Sequence, residues 1–390
     1  MPRHRPAIVV VIATFCLLAG GFAQNYVVTN NDDSVVNTGT FFQAVGSPTN
    51  PSLDLAGVIK TGGMGLSCCF EYLATNLITI VPNSDGACVY FANVASGSIA
   101  GYDSKTGTVV GPFQGSPEDA RGFLSLNLAA SKDFLYAAFE GSTIVAFKIL
   151  SGCRLSFTSG TSATGLNGGW VDGMKTHGDL LVVTFGDGSY ESFNISNGTP
   201  VSSGDAQFSN GFRHFGDIPS GVDISANGKW AIFGDGTRGV DVEVAAITPK
   251  GLSPTYPFVG LETAHGSTNV WLSPDNTLLY VGNNDSGQIS AYNFDASTGK
   301  LSFGCVSNVL NKFLTSWDGT GSIQTEGTTG TGGVIWMAEF GRYANPSSIA
   351  IIEVTSHGSS CTLTESPASP ITVPNGHGLL NIAAFPTRGF

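Results

Sequence analysis

From Val270 to Phe303 short apolar runs alternate with short polar clusters. The runs are VWLS, LLYVGN and QISAYNF, with a fourth from Leu301; Pro-Asp-Asn, Asn-Asp-Ser-Gly and Ala-Ser-Thr-Gly separate them. Asn, Asp and Gly tolerate the backbone angles of tight hairpins, and Pro pre-sets one of them. Runs of this length, rich in Val, Leu, Ile, Tyr and Phe, read as strands. The stretch therefore predicts a four-stranded antiparallel meander. One such sheet has two apolar faces and cannot bury both alone, so it needs neighbours.

The neighbours are repeats. With Tyr280 of LLYVGN as a marker, the equivalents are Tyr90 (CVYFAN), Tyr136 (FLYAAF), Val182 (LLVVTFGD), Trp230 (KWAIFGD) and Trp336 (VIWMAEF), in chain order 46, 46, 48, 50 and 56 residues apart. Third strands such as SIAGYD, TIVAFKI, YESFNI, VEVAAI and SIAIIEV follow them. A period near 45–50 residues with about four strands per unit is the signature of a propeller blade. Six units are expected near 66–116, 121–163, 168–207, 219–262, 264–312 and 321–376. The ends supply a seventh. NYVVTNNDDSV resembles the second strand of LYVGNNDSG without its first strand, and HGLLNIAAFPTRGF resembles the first strand of HGSTNVWLSPD. The prediction is an all-β chain: a seven-bladed β-propeller, its ring closed by the C-terminal strand pairing with the N-terminal strands. Closure also hides the edges of an open array. A pair of β-sandwiches or an open solenoid are the competing architectures.

Composition agrees with many turns and little disorder. Gly is 52 of 390 residues and charged residues are 12%, against about 7% Gly and about 25% charge in ordinary domains. Disorder needs the opposite, high charge and low hydrophobicity. The N-terminus reads as a targeting segment. Arg3 and Arg5 precede the 15-residue apolar run Ala7–Gly21, and Gly21-Phe22-Ala23 presents small residues for cleavage after Ala23. The expected organisation is a signal peptide, 1–23, and one propeller domain, 24–390. An uncleaved anchor is the alternative, but the run is shorter than the ~20 residues of a spanning helix.

Cleavage removes two of the 17 basic residues and leaves 15 against 29 acidic ones. That balance argues against nucleic acid and anionic membrane surfaces as partners. A secreted or periplasmic monomer, free of the membrane after cleavage, is expected. Cys68, Cys69, Cys88, Cys153, Cys305 and Cys361 remain, an even count that fits disulfides in an exported chain. Cys88 with Cys68 or Cys69 is the favoured pairing, because these lie in one proposed sheet. Zinc is disfavoured, since no Cys-x-x-Cys occurs.

LYVGNNDSGQISAYNFDASTGKLS and NYVVTNNDDSV resemble the lactonase group of seven-bladed propellers, which includes 6-phosphogluconolactonase-like proteins and fungal muconate-lactonizing enzymes, and the repeat named for its Tyr-Val-Thr-Asn core. The resemblance recurs over most of the mature chain and implies a lactone hydrolase without an obligatory redox cofactor. It is a match of blades, which specify packing rather than chemistry. The chain lacks a His-Pro-His segment of the kind associated with enzymatic members. An exported protein is also poorly placed to meet a phosphorylated sugar of central metabolism.

In a propeller the loops entering the first strands form one mouth of the central channel. Arg121, Arg213, His214, Asp217, His265, Glu326 and His377 arrive there, with Trp170 and Asp172. His214, His265 and His377 share one phase of three different repeats. Lactone hydrolysis needs a base to activate water and a donor for the developing oxyanion. A His paired with Asp217 or Glu326 suits the first role, and Arg121 or Arg213 the second. The plainer reading makes each of them a loop residue bonded to neighbouring turns. His177 falls in a hairpin turn and is excluded. No metal site is expected: the three His share no local motif, and Phe185-Gly-Asp-Gly and Phe233-Gly-Asp-Gly read as hairpin turns rather than calcium loops. No Gly-x-Ser-x-Gly elbow offers a serine nucleophile. Asn194, Asn197 and Asn284 begin glycosylation acceptor triplets. The sequence thus supports a channel-mouth enzyme acting on a sugar or related lactone. Its rival is a non-enzymatic propeller that binds carbohydrate or protein or serves as a cell-surface module.

Overall fold

The computed structural model describes residues 26–47, 49–66, 76–83, 86–114, 125–139, 143–209, 221–234, 242–258, 267–283, 286–310, 320–329, 332–339, 346–357, 360–376 and 381–385. Their strands form seven antiparallel sheets. Blade I takes its innermost strand, Asn381–Phe385, from the C-terminus and its outer three, Tyr26–Asn30, Thr38–Ser47 and Asn50–Lys60, from the N-terminus. Blades II to VII follow in order, their innermost strands being Ile78–Asn83, Ser125–Ala130, Val171–His177, Val222–Ile224, Ser267–Leu272 and Thr320–Thr329. Each innermost strand packs on those of the two flanking blades, and the cycle closes from blade VII to blade I and on to blade II. The expected seven-bladed ring, and its closure by Tyr26–Asn30 against Asn381–Phe385, are therefore present.

The core lies between blades rather than within them. Seven apolar clusters occur among the described residues, one at each junction. Tyr90 of blade II packs with Phe139 and Phe147 of blade III. Tyr190 of blade IV stacks on Phe233 of blade V, centroids 5.0 Å apart. Trp336 of blade VII meets Val27 and Phe42 of blade I. Period-two alternation puts successive side chains on the two faces of a sheet, and in a radial sheet both faces meet a neighbour. This is why strands such as Leu278–Asn283 are buried throughout.

Two expectations need correction. Pairing places Tyr280 opposite Trp271, Tyr136 opposite Ala129, Tyr90 opposite Thr79 and Val182 opposite Lys175. In blade V the equivalent is Ile232 opposite Asp223, not Trp230. Trp230 lies two residues earlier and donates its indole N–H to Ala296 O at 3.0 Å. A two-residue slip leaves the alternation intact, so the apolar pattern does not detect it. The disulfides also differ from expectation. Cys88 pairs with Cys153, Cα atoms 5.3 Å apart, and Cys305 with Cys361, at 5.5 Å. Both bridge neighbouring blades, because Cys88 faces the cluster between blades II and III and Cys153 is part of that same cluster. Cys68 and Cys69 lie outside the described residues. No helix among the described residues is long and apolar enough to cross a membrane.

Candidate active site at the channel mouth

One end of the ring carries the segments that enter the innermost strands. Arg121, Arg213, His214, Asp217, His265 and His377 lie outside the described residues. Each falls in a segment that joins the outer part of one blade to the innermost strand of the next, which begins at Ser125, Val222, Ser267 or Asn381. Glu326, expected at the mouth, is instead on the innermost strand of blade VII opposite Val334, the level that His177 holds opposite Leu180 in blade IV, toward the other end of the channel.

Blade IV is described through this region. The pairing of Val171 with Phe185 and of Gly173 with Thr184 skips Asp172, so Asp172 occupies a bulge. Bulges re-aim a side chain, and this one buries the Asp172 carboxyl completely. Burial, and then the nearby Asp187 carboxylate, hold the Asp172 pKa well above the usual carboxylate range. Asp187 behaves in the opposite way. Desolvation pushes its pKa up, but hydrogen bonds win and hold it below the usual range. It accepts from Asn167 N (2.6 Å), Gly169 N (3.3 Å), Ser189 N (2.9 Å) and Ser189 Oγ (2.5 Å). Gly169 is needed for this: a Cβ there would stand 2.5 Å from Asp187 N. The Phe185-Gly-Asp-Gly turn is thus an organiser of the mouth loop, as the hairpin reading implies. The pKa values of the neighbouring Asp172 and Asp187 are thus pushed in opposite directions beside the mouth.

Further along the channel wall, three side chains from three successive blades meet. Lys175 Nζ lies 3.1 Å from Asp223 Oδ1 and 4.5 Å from the centroid of a Trp271 ring. Asp223 also accepts from Ile224 N at 2.9 Å and, across the blade boundary, from Leu272 N at 2.8 Å. The Lys175 side chain is 31% exposed and Asp223 only 3%; Trp271 is half-buried. Their pairing partners Val182, Ile232 and Tyr280 are equivalent, so the three occupy one level of the ring. Thr79, Ala129 and Ala384 hold the same level in blades II, III and I, opposite Tyr90, Tyr136 and Val27. At this level of the ring blades IV to VI therefore carry a cation, a carboxylate and an indole, while blades I to III carry small side chains, of which Ala129 and Ala384 are buried in inter-blade clusters. An ammonium has three donors, and an indole face takes apolar C–H surface or a cation. Sequence reasoning did not single out these three residues. The available signal was register: each sits opposite the position equivalent to Tyr280 in its own blade, which in blade V is Ile232.

Amides stitch the remaining innermost strands. Leu77 N donates to Asn381 Oδ1 (2.9 Å), Asn76 N to Asn127 Oδ1 (3.1 Å), Asn127 Nδ2 to Val171 O (3.0 Å) and Asn76 Nδ2 to Met174 O (3.0 Å). Asn30, from the Tyr-Val-Val-Thr-Asn segment, donates to Leu77 O (2.9 Å) and Ala92 O (2.8 Å) of blade II. The asparagines of the repeat are inter-blade joints. His177 is exposed at the opposite end of its strand, and a Cβ on Gly228 of the next blade would lie 2.8 Å from its Nε2. Among the described residues no group of three or more His, Cys, Asp or Glu is placed to hold a metal ion.

No family profile and no curated protein matches the sequence. Solved structures do. A protein of Bacteroides fragilis provisionally described as a 6-phosphogluconolactonase aligns with TM-score 0.65 at 15% identity, over 93% of this chain and 98% of that one. The periplasmic gluconolactonase PpgL of Pseudomonas aeruginosa aligns with TM-score 0.53 at 15% identity, over 74% of this chain and 81% of that one. The β-propeller domain of Cps50 (Swd1) from Myceliophteria thermophila aligns with TM-score 0.54 at 13% identity, over 80% and 96%. At such identities the likeness is one of fold. The protein is a seven-bladed β-propeller, and its fold neighbours include proteins of the lactonase type that its repeats resemble.

Proposed function

We propose that the protein is an exported, monomeric, lactonase-like propeller that hydrolyses a sugar or related lactone at the mouth of its central channel. The observation that carries this reading is the Lys175–Asp223–Trp271 group, a partly exposed ammonium beside a half-buried indole on the innermost strands of three successive blades. A polyhydroxylated ring suits it, with its oxygens toward the ammonium and its C–H surface beside the indole. Among the mouth residues, one of His214, His265 and His377, paired with Asp217, acts as base. It takes a proton from water as the oxygen attacks the lactone carbonyl. Arg121 or Arg213 stabilises the tetrahedral oxyanion. The ring C–O bond then breaks, the departing oxygen takes the proton, and a hydroxy acid is released. No electron is transferred, so the step requires no redox cofactor. The two disulfides fit an oxidising compartment, as does a periplasmic protein among the fold neighbours.

The test is a pH-stat assay of the purified protein on glucono-δ-lactone and related five- and six-membered lactones, measured against spontaneous hydrolysis. Catalysed acid release is expected. Loss of a general base costs about 10²–10⁴-fold, so His265→Ala or His377→Ala should lower the rate on that scale if that residue is the base. Full activity in both variants removes them from the site.

The second reading is a non-enzymatic carbohydrate- or protein-binding module. It is favoured by the engagement of Asp223, Asn127 and Asn381 in joints between blades. Saturable sugar binding lost in Lys175→Met, with no turnover of any lactone, would establish it instead.

A further inference from the structure

Asn194 ends the third strand of blade IV, Ser189–Asn194, and opens the turn to the fourth. The turn holds two consecutive acceptor triplets, Asn194-Ile195-Ser196 and Asn197-Gly198-Thr199. Asn194, Ser196 and Asn197 are all exposed. Asn194 Oδ1 accepts from Ser196 N at 3.0 Å and from Ser196 Oγ at 2.7 Å, so the amide and the hydroxyl of one triplet already face each other. Asn194 Nδ2 makes no hydrogen bond among the described residues.

The second triplet is placed differently. Pro200 follows Thr199 directly and restricts its backbone to extended conformations. Thr199 Oγ1 accepts from Ser159 Oγ of blade III at 3.3 Å. Gly198 has φ +79° and lies against the Phe134 ring. Ile195 N bonds Asp179 O in the turn that follows the innermost strand, which puts the site at the end of the blade opposite the mouth. The ends of the turn are tied, and the position leaves the channel entrance open.

We infer that Asn194, and not Asn197, carries an N-linked glycan when the chain passes through a secretory pathway that transfers them. In the transfer, Asn194 Nδ2 attacks the anomeric carbon of a lipid-diphosphate-linked oligosaccharide. The N–C bond forms, the bond from that carbon to the diphosphate oxygen breaks, the lipid diphosphate departs, and Nδ2 loses one proton. The acceptor triplet supplies the chemistry. The two disulfides support passage through such a compartment.

The full chain, expressed in a eukaryotic secretory line behind a heterologous leader, tests this. Peptide-N-glycosidase digestion in heavy-oxygen water marks each former acceptor for peptide mass spectrometry. The expected result is a mark on Asn194 in most copies, removed by Asn194→Gln and retained in Asn197→Gln. An unmarked Asn194 in secreted protein containing the Cys88–Cys153 and Cys305–Cys361 bridges overturns the inference, as does a mark confined to Asn197. Removing the glycan should leave lactone binding or turnover unchanged, so this result is independent of the proposed activity.

Discussion

Asp223 is the residue on which three blades converge. It faces the Lys175 ammonium, its own strand's Ile224 N–H and the next blade's Leu272 N–H. Truncation in Asp223→Ala leaves Leu272 N–H buried without that partner, a cost of about 1–3 kcal/mol. The expected outcome is a lower urea midpoint with an unchanged m-value, and a double-mutant cycle with Lys175→Met should show coupling. An unchanged midpoint would mean that the joint contributes nothing. Asp172 gives a prediction with a defined sign. Its folded pKa lies above its unfolded value, so its burial is tolerated below the unfolded pKa and costs stability as pH rises through the folded one. Asp172→Asn should therefore raise the thermal midpoint at neutral pH, with the gain shrinking toward pH 4. A midpoint lowered at both pH values would contradict this assignment. Asp187, with its lowered pKa, contributes stability above its unfolded pKa and loses it only as pH falls through the folded value.

At the scale of elements, the outer strands are held by covalent bridges between blades. Cys88–Cys153 spans 65 residues of chain and Cys305–Cys361 spans 56. Loops of that size make a disulfide worth about 4 kcal/mol in the chain-entropy model. Either double Cys→Ser variant should show a denaturation midpoint lowered on that scale, and peptide mapping without reductant should return these two pairs. A bridge from Cys88 to Cys68 or Cys69 would refute the inter-blade arrangement. Local chemistry made the strands and turns readable in advance, since turn residues and alternating apolar positions recur in every unit. The partner of each cysteine was not readable, because Cys88 chooses among residues that only the neighbouring blade brings near.

At the scale of the molecule, closure is the decisive contact. Tyr26–Asn30 has two sheet partners, Thr38–Ser47 and Asn381–Phe385. Deleting the chain after residue 376 removes the buried Asn381, Ile382, Ala383 and Ala384 and exposes the flank of blade I. Such edges invite aggregation. The truncated chain should unfold less cooperatively and associate more in light scattering than the full chain at the same concentration. A monomeric, cooperatively folding truncation would show that closure is dispensable.

The sequence by itself determined the repeat, the number of blades, their boundaries to within about a dozen residues and the split of blade I between the two termini. Period and turn chemistry are local properties, and seven copies of the same pattern leave few ways to bury both faces of every sheet. The phase of blade V escaped it, because Trp230 and Ile232 differ by one full period of the alternation. The three His named at the mouth from sequence share a phase, which is a statement about topology and not about distance. Only the tertiary structure joined Lys175, Asp223 and Trp271, spaced 48 residues apart, buried Asp172 in a bulge, and carried the disulfides across blades. Each of these depends on which blades are neighbours around the axis, and the ring's curvature, not the chain's local preferences, sets that proximity.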